Sequence, residues 1–188
     1  MAEQSKTDGG GPVRLDIGCG KNKREGFIGI DRIKFETVDV VCNVGTEKLP
    51  YDDSTVDEIH CSHFLEHLTQ DERVYFLNEA YRVMKKDAKL ALIVPHWASN
   101  RAYGDPTHKW PAVSEMFFYY LSKAWRTTQA PHTDIEFNPA GFSCDFSATW
   151  GYSMHQDLVT RNQEYQQHAL AFYKEAAQDI HATLVAVK

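Results

Sequence analysis

The hexapeptide LDIGCG, residues 15–20, joins a strand-like run to a glycine turn. Residues 13–17 form a short and mostly apolar run, which is typical of a buried strand, and Gly18 and Gly20 end it. Because glycine has no side chain, a ligand can approach the backbone closely at such a turn. Ligands of open α/β sheets bind beyond the carboxyl ends of the strands, where this turn lies. The hexapeptide therefore predicts the first strand and the ligand edge of an α/β sheet.

Strand-like and helix-like segments alternate along the rest of the chain. The link between the first two strands, residues 18–26, is too short for a normal crossover helix. The alternation predicts an α/β fold with a mostly parallel sheet. The further strands are predicted at residues 27–31, 38–42, 56–61 and 90–94, within 142–152, and at 182–187.

Two helices are predicted between these strands. Thr69 and Glu72 have the spacing of a capping box, so a helix is expected to begin there and to end at residues 85–87. A second helix is expected over residues 162–178. The side chains expected on the buried faces are Val74, Leu77, Tyr81 and Met84 in the first helix, and Tyr165, Leu170, Phe172, Tyr173 and Ala177 in the second.

Composition restricts what the chain can do. Its 188 residues suit a single domain, expected at residues 13–188 after a flexible polar tail at residues 1–12. The net charge of −6 argues against duplex nucleic acid as a partner, and no apolar run has the length of a membrane span. The tail lacks the apolar core of a signal peptide, and the four cysteines include no C-x-x-C pair. These features predict a cytoplasmic protein.

Four ordered motifs resemble those of the class I S-adenosylmethionine-dependent methyltransferases. They are LDIGCG at residues 15–20, IGID at 28–31, CNVGTEKLPYDDSTVDEIHCSHFLEHL at 42–68 and AYRVMKKDAKLALIVP at 80–95. The resemblance covers about residues 13–95 and is greatest to small methyltransferases with a shortened link between strands one and two. It implies a Rossmann-like sheet, S-adenosyl-L-methionine as the cofactor, and methyl transfer to a small molecule or to an exposed single residue or base.

The resemblance also implies roles for individual residues. Asn43 stands where the family commonly has an aspartate, so a non-catalytic protein that only binds the cofactor remains an alternative. The implied contacts are Asp16, Gly18, Cys19 and Gly20 at the methionine end, Asp31 at the ribose, Asn43 and Val44 at the adenine, and Ser62 and His63 near the sulfonium.

The segment SHFLEH, residues 62–67, raises a different possibility. Its order H-x-x-E-H is the signature of inverted zinc peptidases, with His63 and His67 as ligands and Glu66 as base. That site needs both histidines on one continuous helix, whereas the predicted strand ends at residue 61 and the capping box begins at Thr69. The segment is therefore interpreted as a strand-to-helix turn. No metal site is predicted, and a zinc hydrolase is kept as the disfavoured alternative.

Residues 97–139 are predicted to form an aromatic-rich insertion after the fifth strand. The insertion holds nine of the 23 aromatic residues, and residues 114–123 could line a pocket or pack on the core or a second copy of the chain. The segment YGDPTHKW, residues 103–110, is polar and turn-forming, and we expect it near the methyl acceptor. His96 and His108 are the candidate proton acceptors, and Asp105 is expected to orient His108 or to bind the substrate.

Overall fold

The computed structural model describes residues 11–130, 133 and 141–188. Residues 1–10 of the predicted tail and Phe137 of the predicted insertion lie outside the described residues. The described residues contain one seven-stranded sheet with the order β3-β2-β1-β4-β5-β7-β6. Its strands are β1 (Arg14–Ile17), β2 (Ile28–Asp31), β3 (Val40–Val41), β4 (Val56–Ser62), β5 (Met84–Pro95), β6 (Phe146–Met154) and β7 (Ala177–Ala186).

Strands β1 to β5 run parallel to one another, and β7 runs antiparallel to both β5 and β6. The predicted α/β fold with a mostly parallel sheet is confirmed. Leu15 pairs with Ile28 and Ile59, so β1 is central and buried. Because β1, β2 and β4 are parallel, their carboxyl ends meet at one edge of the sheet.

Helices cover the sheet and connect its strands. The described helices are a 3₁₀ turn (Leu65–His67), α1 (Gln70–Val83), α2 (Asn100–Gly104), α3 (Glu115–Tyr119), α4 (Lys123–Gln129), α5 (Gln156–Val159) and α6 (Gln163–Phe172). The capping box is present, because the side chain of Thr69 accepts from the Glu72 amide and the Thr69 amide donates to the Glu72 carboxylate. None of the described helices has both the length and the apolar character that crossing a bilayer requires.

Both predicted helices differ from the observed ones. Helix α1 ends at Val83, and Met84 already pairs with Val56 as the first residue of β5, so the predicted extension to residues 85–87 is wrong. Those residues instead form an irregularity in β5 with Asp87 in the left-handed region (φ 62°). The core face of α1 carries Arg73, Phe76, Leu77, Glu79, Ala80 and Val83, while Val74 and Tyr81 are only half-buried.

The second predicted helix is shorter and more exposed than expected. Helix α6 ends at Phe172, and residue 177 already lies in β7, because the chain must turn back to pair with β5. Ala169 is the buried residue of α6, whereas Tyr165, Phe172 and Tyr173 are exposed. The helix therefore covers little of the sheet.

Candidate functional site

The glycine turn predicted at residues 18–20 has the backbone geometry that requires glycine. Gly18 has φ +68° and Gly20 has φ +50°, both in the left-handed region. The Gly18 amide donates to the carbonyl of Ile30 at 2.8 Å, which holds the turn against β2. A Cβ atom at Gly18 would lie 2.5 Å from the Phe64 ring, so the position also lacks space for a side chain.

Asp31 ends β2 with its carboxylate at this edge. Its two oxygens each accept one backbone hydrogen bond, from Gly20 at 3.0 Å and from Ile33 at 2.9 Å. A carboxylate offers about four lone-pair directions, so capacity remains for two further donors. The side chain is thus fixed in place and still able to accept hydrogen bonds from a ligand.

A cavity of about 650 Å³, called here the cofactor cavity, opens beside these groups. Of the nine predicted cofactor residues, five line it: Gly18, Asp31, Asn43, Val44 and His63. Residues that were not predicted as cofactor contacts complete the wall, among them Ile33, Phe35, Phe64, His67, Leu68, Pro106, Thr107 and Lys109. Apolar and aromatic walls with a few fixed polar groups are typical of small-molecule sites.

The other four predicted cofactor residues lie outside the lining of this cavity: Asp16, Cys19, Gly20 and Ser62. Asp16 is buried and accepts hydrogen bonds from the Arg24 amide at 2.7 Å and from His60 Nδ1 at 2.8 Å. It therefore holds the loop after β1, and its predicted contact with the cofactor stays a prediction. Burial raises the pKa of the Cys19 thiol to about 11, so this side chain is uncharged at neutral pH.

The turn after β4 brings polar side chains to the same edge. His63 has φ 50°, an uncommon conformation for a residue with a Cβ, and its amide donates to the Ile93 carbonyl. Its Nδ1 lies 3.3 Å from Glu66 Oε1, and this hydrogen bond raises the pKa of His63. Only a 3₁₀ turn spans residues 65–67, and α1 starts at Gln70. The continuous helix that an H-x-x-E-H peptidase needs is absent from this described segment.

A second cavity of about 700 Å³, called here the acceptor cavity, adjoins the first. His63, His67 and Pro106 line both cavities and form a shared wall. The predicted residues Asp105 and His108 line the acceptor cavity, together with Glu66, Pro95, Arg101 and Gly104. A third cavity is lined in part by Asp53 and Ser54. These residues come just before β4, so this cavity lies at the opposite edge of the sheet.

A segment called here the bridging segment, residues 96–111, is tied to the start of α1 by one buried cation. The Arg73 guanidinium donates to the carbonyls of Leu65 and Leu68 at 3.0 Å each, of Pro111 at 2.6 Å and of Lys109 at 3.0 Å. The Lys109 amide also donates to the Glu66 carbonyl at 2.7 Å. These bonds place residues 105–108 beside the turn after β4.

Comparison with known proteins gives the family. Residues 19–92 match the model of a methyltransferase domain. Over these residues, which are less than half of the chain, the protein is similar to that methyltransferase family. A comparison with curated proteins finds no match. The predicted methyltransferase activity and its cofactor are confirmed at the level of this domain match.

Solved structures of several methyltransferases share the fold of this chain. The methyltransferase is similar to a SAM-dependent methyltransferase from Archaeoglobus fulgidus, with 21% identity, TM-score 0.63, and coverage of 94% of this chain and 86% of that one. It is also similar to a SAM-dependent methyltransferase from Methanosarcina mazei, with 16% identity, TM-score 0.52, and coverage of 94% of this chain and 93% of that one. A third similar structure is the 1,6-didemethyltoxoflavin-N1-methyltransferase of Burkholderia thailandensis, solved with 1,6-didemethyltoxoflavin and S-adenosylhomocysteine. The identity is 12%, the TM-score is 0.53, and the match covers 94% of this chain and 72% of that one.

The residues of the methyltransferase fit the cofactor that the family uses. Asp31 has lone pairs available for hydroxyl donors, and Gly18 lies in the lining of the same cavity. When bound, S-adenosylmethionine supplies an electrophilic methyl group on a sulfonium. The protein would hold this ligand with the fixed carboxylate of Asp31 and the apolar walls of the cofactor cavity.

One predicted catalytic residue of the methyltransferase is corrected. His96 is fully buried; the Ala98 amide donates to its Nδ1 at 3.2 Å, so its Nε2 carries the proton and donates to Glu115 Oε1 at 3.0 Å. Tyr152 donates to the same oxygen. With both ring nitrogens engaged and no access to either ligand cavity, His96 organises the fold and is not available as a proton acceptor.

The orientation predicted for His108 is also different. Its Nε2 lies 3.7 Å from Asp105 Oδ2, which is too long for a hydrogen bond, and its Nδ1 lies 3.2 Å from the Ala102 carbonyl. Asp105 instead accepts from the amide and hydroxyl of Thr107 at 2.8 and 2.7 Å. These hydrogen bonds lower the pKa of Asp105, and the bond from the Thr107 amide has the largest effect.

Proposed function

We propose that this enzyme transfers a methyl group to a small molecule held in the acceptor cavity. The observation that supports this is the shared wall of His63, His67 and Pro106, which places two cavities side by side at the ligand edge. A displacement at a sulfonium carbon needs the acceptor in line with the methyl group and water excluded. Two adjoining cavities divided by a few side chains suit that arrangement.

The roles proposed for the cofactor cavity follow its geometry. Asp31 accepts from the ribose hydroxyls, Asn43 and Val44 bracket the adenine, and Gly18 and His63 border the reactive end. Asp16, Cys19, Gly20 and Ser62 support these residues through the backbone of their loops and strands. An asparagine carbonyl oxygen accepts the hydrogen bond from an adenine amino group, although without the charge of an aspartate.

The acceptor side is assigned to the bridging segment. Asp105 and His108 are proposed to contact the acceptor, whose lone pair forms the new bond as the carbon–sulfur bond breaks and its electron pair goes to sulfur. A proton carried by the acceptor atom leaves to solvent or to a nearby base. An exposed single residue or base of a larger substrate fits the same chemistry, and a small molecule is the first candidate because polar side chains such as Asp105 and His108 line the cavity.

The proposed setting is the cytoplasm, and duplex nucleic acid is not a proposed partner because the net charge is −6. A homo-oligomer is also proposed, formed through exposed aromatics of residues 97–130. Trp110 and Tyr119 are exposed, which suits such a contact, whereas Phe118 is buried and stacks on Trp150 at 5.5 Å.

Calorimetry of S-adenosylhomocysteine binding to wild type and to Asp31→Ala tests the proposed cofactor site. Removing a carboxylate that accepts from the ribose should weaken binding by about 2–3 kcal/mol, the value of a hydrogen bond to a charged group. Asp52→Ala, an exposed carboxylate far from the ligand edge, is the matched control. Equal affinities for all three proteins would refute the ribose assignment.

The acceptor assignment needs a separate measurement. The protein is incubated with methyl-labelled S-adenosylmethionine and a panel of small acceptors, and label transfer is followed. The proposal predicts a labelled small molecule whose formation falls in Asp105→Ala while S-adenosylhomocysteine affinity is unchanged. Label that appears only in a macromolecule would overturn the small-molecule assignment.

A further inference from the structure

Three side chains at or beside the shared wall bring electron-pair donors together. One carboxylate oxygen of Glu66 and one ring nitrogen each of His67 and His108 all lie within 4.8 Å of one another. The two imidazole rings meet edge to face with centroids 4.8 Å apart. Glu66 and His67 come from the turn after β4, and His108 comes from the bridging segment, so two distant parts of the chain build the cluster.

The hydrogen bond of His108 determines which of its ring nitrogens carries a lone pair. Its Nδ1 lies 3.2 Å from the carbonyl oxygen of Ala102, which can only accept, so Nδ1 carries the proton. In a neutral imidazole the other nitrogen then presents a lone pair. A histidine that binds a metal typically donates its second ring nitrogen to a carbonyl in this way.

Hydrogen bonds that run from His67 to Thr107 and on to Asp105 likewise determine which ring nitrogen of His67 carries a lone pair. Thr107 donates its hydroxyl proton to Asp105 Oδ1 at 2.7 Å, because a carboxylate oxygen can only accept. The Thr107 oxygen lies 3.0 Å from His67 Nδ1 and must therefore accept from it. The Nε2 atom of His67 is left with a lone pair, like that of His108.

Glu66 completes the cluster with a buried charge. The residue is 6% exposed, and its Oε1 is bonded to His63 at 3.3 Å. Its Oε2 is buried and has no hydrogen-bond donor among the described residues. Leaving a buried carboxylate oxygen without a hydrogen-bond donor is unfavourable, so an uncompensated position of this kind needs an explanation.

We propose that Glu66, His67 and His108 bind a divalent metal ion, with Zn²⁺ as the first candidate. Two imidazoles and one carboxylate form the ligand set of three-ligand zinc sites, in which a further position stays open to water or substrate. A cation removes the repulsion among three converging lone pairs, and small side-chain rotations bring them into coordination. The site departs from the prediction that the chain holds no metal.

This site is different from the peptidase site that H-x-x-E-H suggested. In the peptidase site His63 and His67 are ligands and Glu66 is a base, whereas here Glu66 is itself a ligand and His108 is the third. His63 remains hydrogen-bonded to Glu66 Oε1 and orients the carboxylate. The H-x-x-E-H pattern contains two of the three proposed ligands, Glu66 and His67, but it assigns Glu66 the role of a base and omits His108.

The position of the metal site gives it a function that rests on the proposed methyltransferase reaction. Glu66, His67 and His108 line the acceptor cavity, and His67 also lines the cofactor cavity. An open coordination position there would hold an acceptor through an oxygen atom, which points to a hydroxyl- or carboxylate-bearing small molecule. Ligation uses the Nε2 lone pair, so His108 could not also serve as the proton acceptor predicted from the sequence.

Metal titration of the full-length wild-type protein tests the site directly. The protein is dialysed against a chelator, transferred to chelator-free buffer, and titrated with Zn²⁺ by calorimetry and with Co²⁺ by visible absorption. We expect one ion per chain with micromolar or tighter affinity, and a Co²⁺ spectrum of nitrogen and oxygen ligation. Protein that folds and binds no more metal than surface histidines do would overturn the proposal.

Substitutions identify the ligands. His67→Ala, His108→Ala and Glu66→Gln should each weaken Zn²⁺ binding by more than tenfold, and Thr107→Val by about tenfold, because loss of a partner that orients a ligand costs about 10–100-fold. His168→Ala, an exposed histidine outside the site, is the matched control and should bind metal like wild type. Wild-type affinity in the three ligand variants would refute the ligand set.

Cofactor binding separates failure of this inference from failure of the proposed function. S-adenosylhomocysteine is titrated into the metal-free and the Zn²⁺-loaded protein. Cofactor binding without stoichiometric metal binding would overturn the metal site and leave the methyltransferase proposal standing. Metal binding without any cofactor binding would do the opposite.

Discussion

The loop after β1, residues 18–26, and the bridging segment, residues 96–111, both lie at the ligand edge but are held in opposite ways. The loop is fixed by bonds between near neighbours in sequence, such as Gly20 to Asp31 and Arg24 to Asp16. The bridging segment is fixed by distant partners: Arg73 binds Pro111, 38 residues away, and Arg101 binds Asp179, 78 residues away.

This difference separates what backbone geometry determines from what a few side chains determine. Many short-range bonds and two left-handed glycines define the loop, so no single side chain holds it. The bridging segment depends heavily on one guanidinium, since four carbonyl oxygens share the donors of Arg73. We therefore expect changes in the loop to act through the backbone, and changes near the bridging segment to act through lost side-chain donors.

The largest expected effect is that of Arg73→Met. Four buried or partly buried carbonyls lose their donors, which should lower the free energy of unfolding by about 3–5 kcal/mol in urea titration. Arg161→Met, which removes an exposed arginine packed over Tyr165, should change it by about 0.5 kcal/mol or less. A similar small loss in both variants would show that the bridging segment is not held by Arg73.

A smaller effect is expected at the loop, where two glycines can be compared. Gly18→Ala combines a left-handed backbone with a Cβ placed 2.5 Å from Phe64, and we expect a loss of about 2–4 kcal/mol. Gly26→Ala shares the left-handed conformation (φ +78°) but has open space around the new Cβ, so about 1 kcal/mol is expected. Equal losses in thermal unfolding would mean that the contact with Phe64 contributes nothing.

The smallest effect concerns pH at the start of the bridging segment. Burial by itself would raise the pKa of Glu115, but the hydrogen bonds from His96 and Tyr152 lower it below the ordinary value of 4.5. The stabilisation is therefore fully present above about pH 4.5 and is lost as the pH falls through the lower folded pKa. Glu115→Gln should cost about 1 kcal/mol at neutral pH and should remove this acid-side dependence. If the stability of Glu115→Gln fell with decreasing pH as steeply as that of the wild type, this prediction would be contradicted.

The sequence predicted best where the chain is regular and local. The apolar run ending at Gly18, the acidic end of β2 at Asp31 and the capping box of Thr69 and Glu72 each carry their signal within a few residues. Helix α6 was predicted less well, because Phe172 and Tyr173 have apolar side chains but remain exposed where the chain turns toward β7.

The acceptor side could not be derived from the sequence because its contacts are long-range. His96 and His108 looked equivalent as histidines after a strand, yet one is buried against Glu115 and the other faces a cavity. Nothing in the sequence pairs His67 with Thr107, 40 residues away. The buried charge of Arg73 gave a possible signal, since an arginine on the apolar face of a helix usually has carbonyl or carboxylate partners.

The shared wall couples the two cavities, so each ligand affects the binding of the other. Because His63, His67 and Pro106 border both cavities, a ligand that shifts these side chains in one cavity changes the fit of the other. Thermodynamic linkage requires the influence to be mutual: whatever factor the acceptor imposes on cofactor affinity, the cofactor imposes on acceptor affinity. The demethylated cofactor would then help to retain or to expel the methylated product, according to the sign of that one coupling constant.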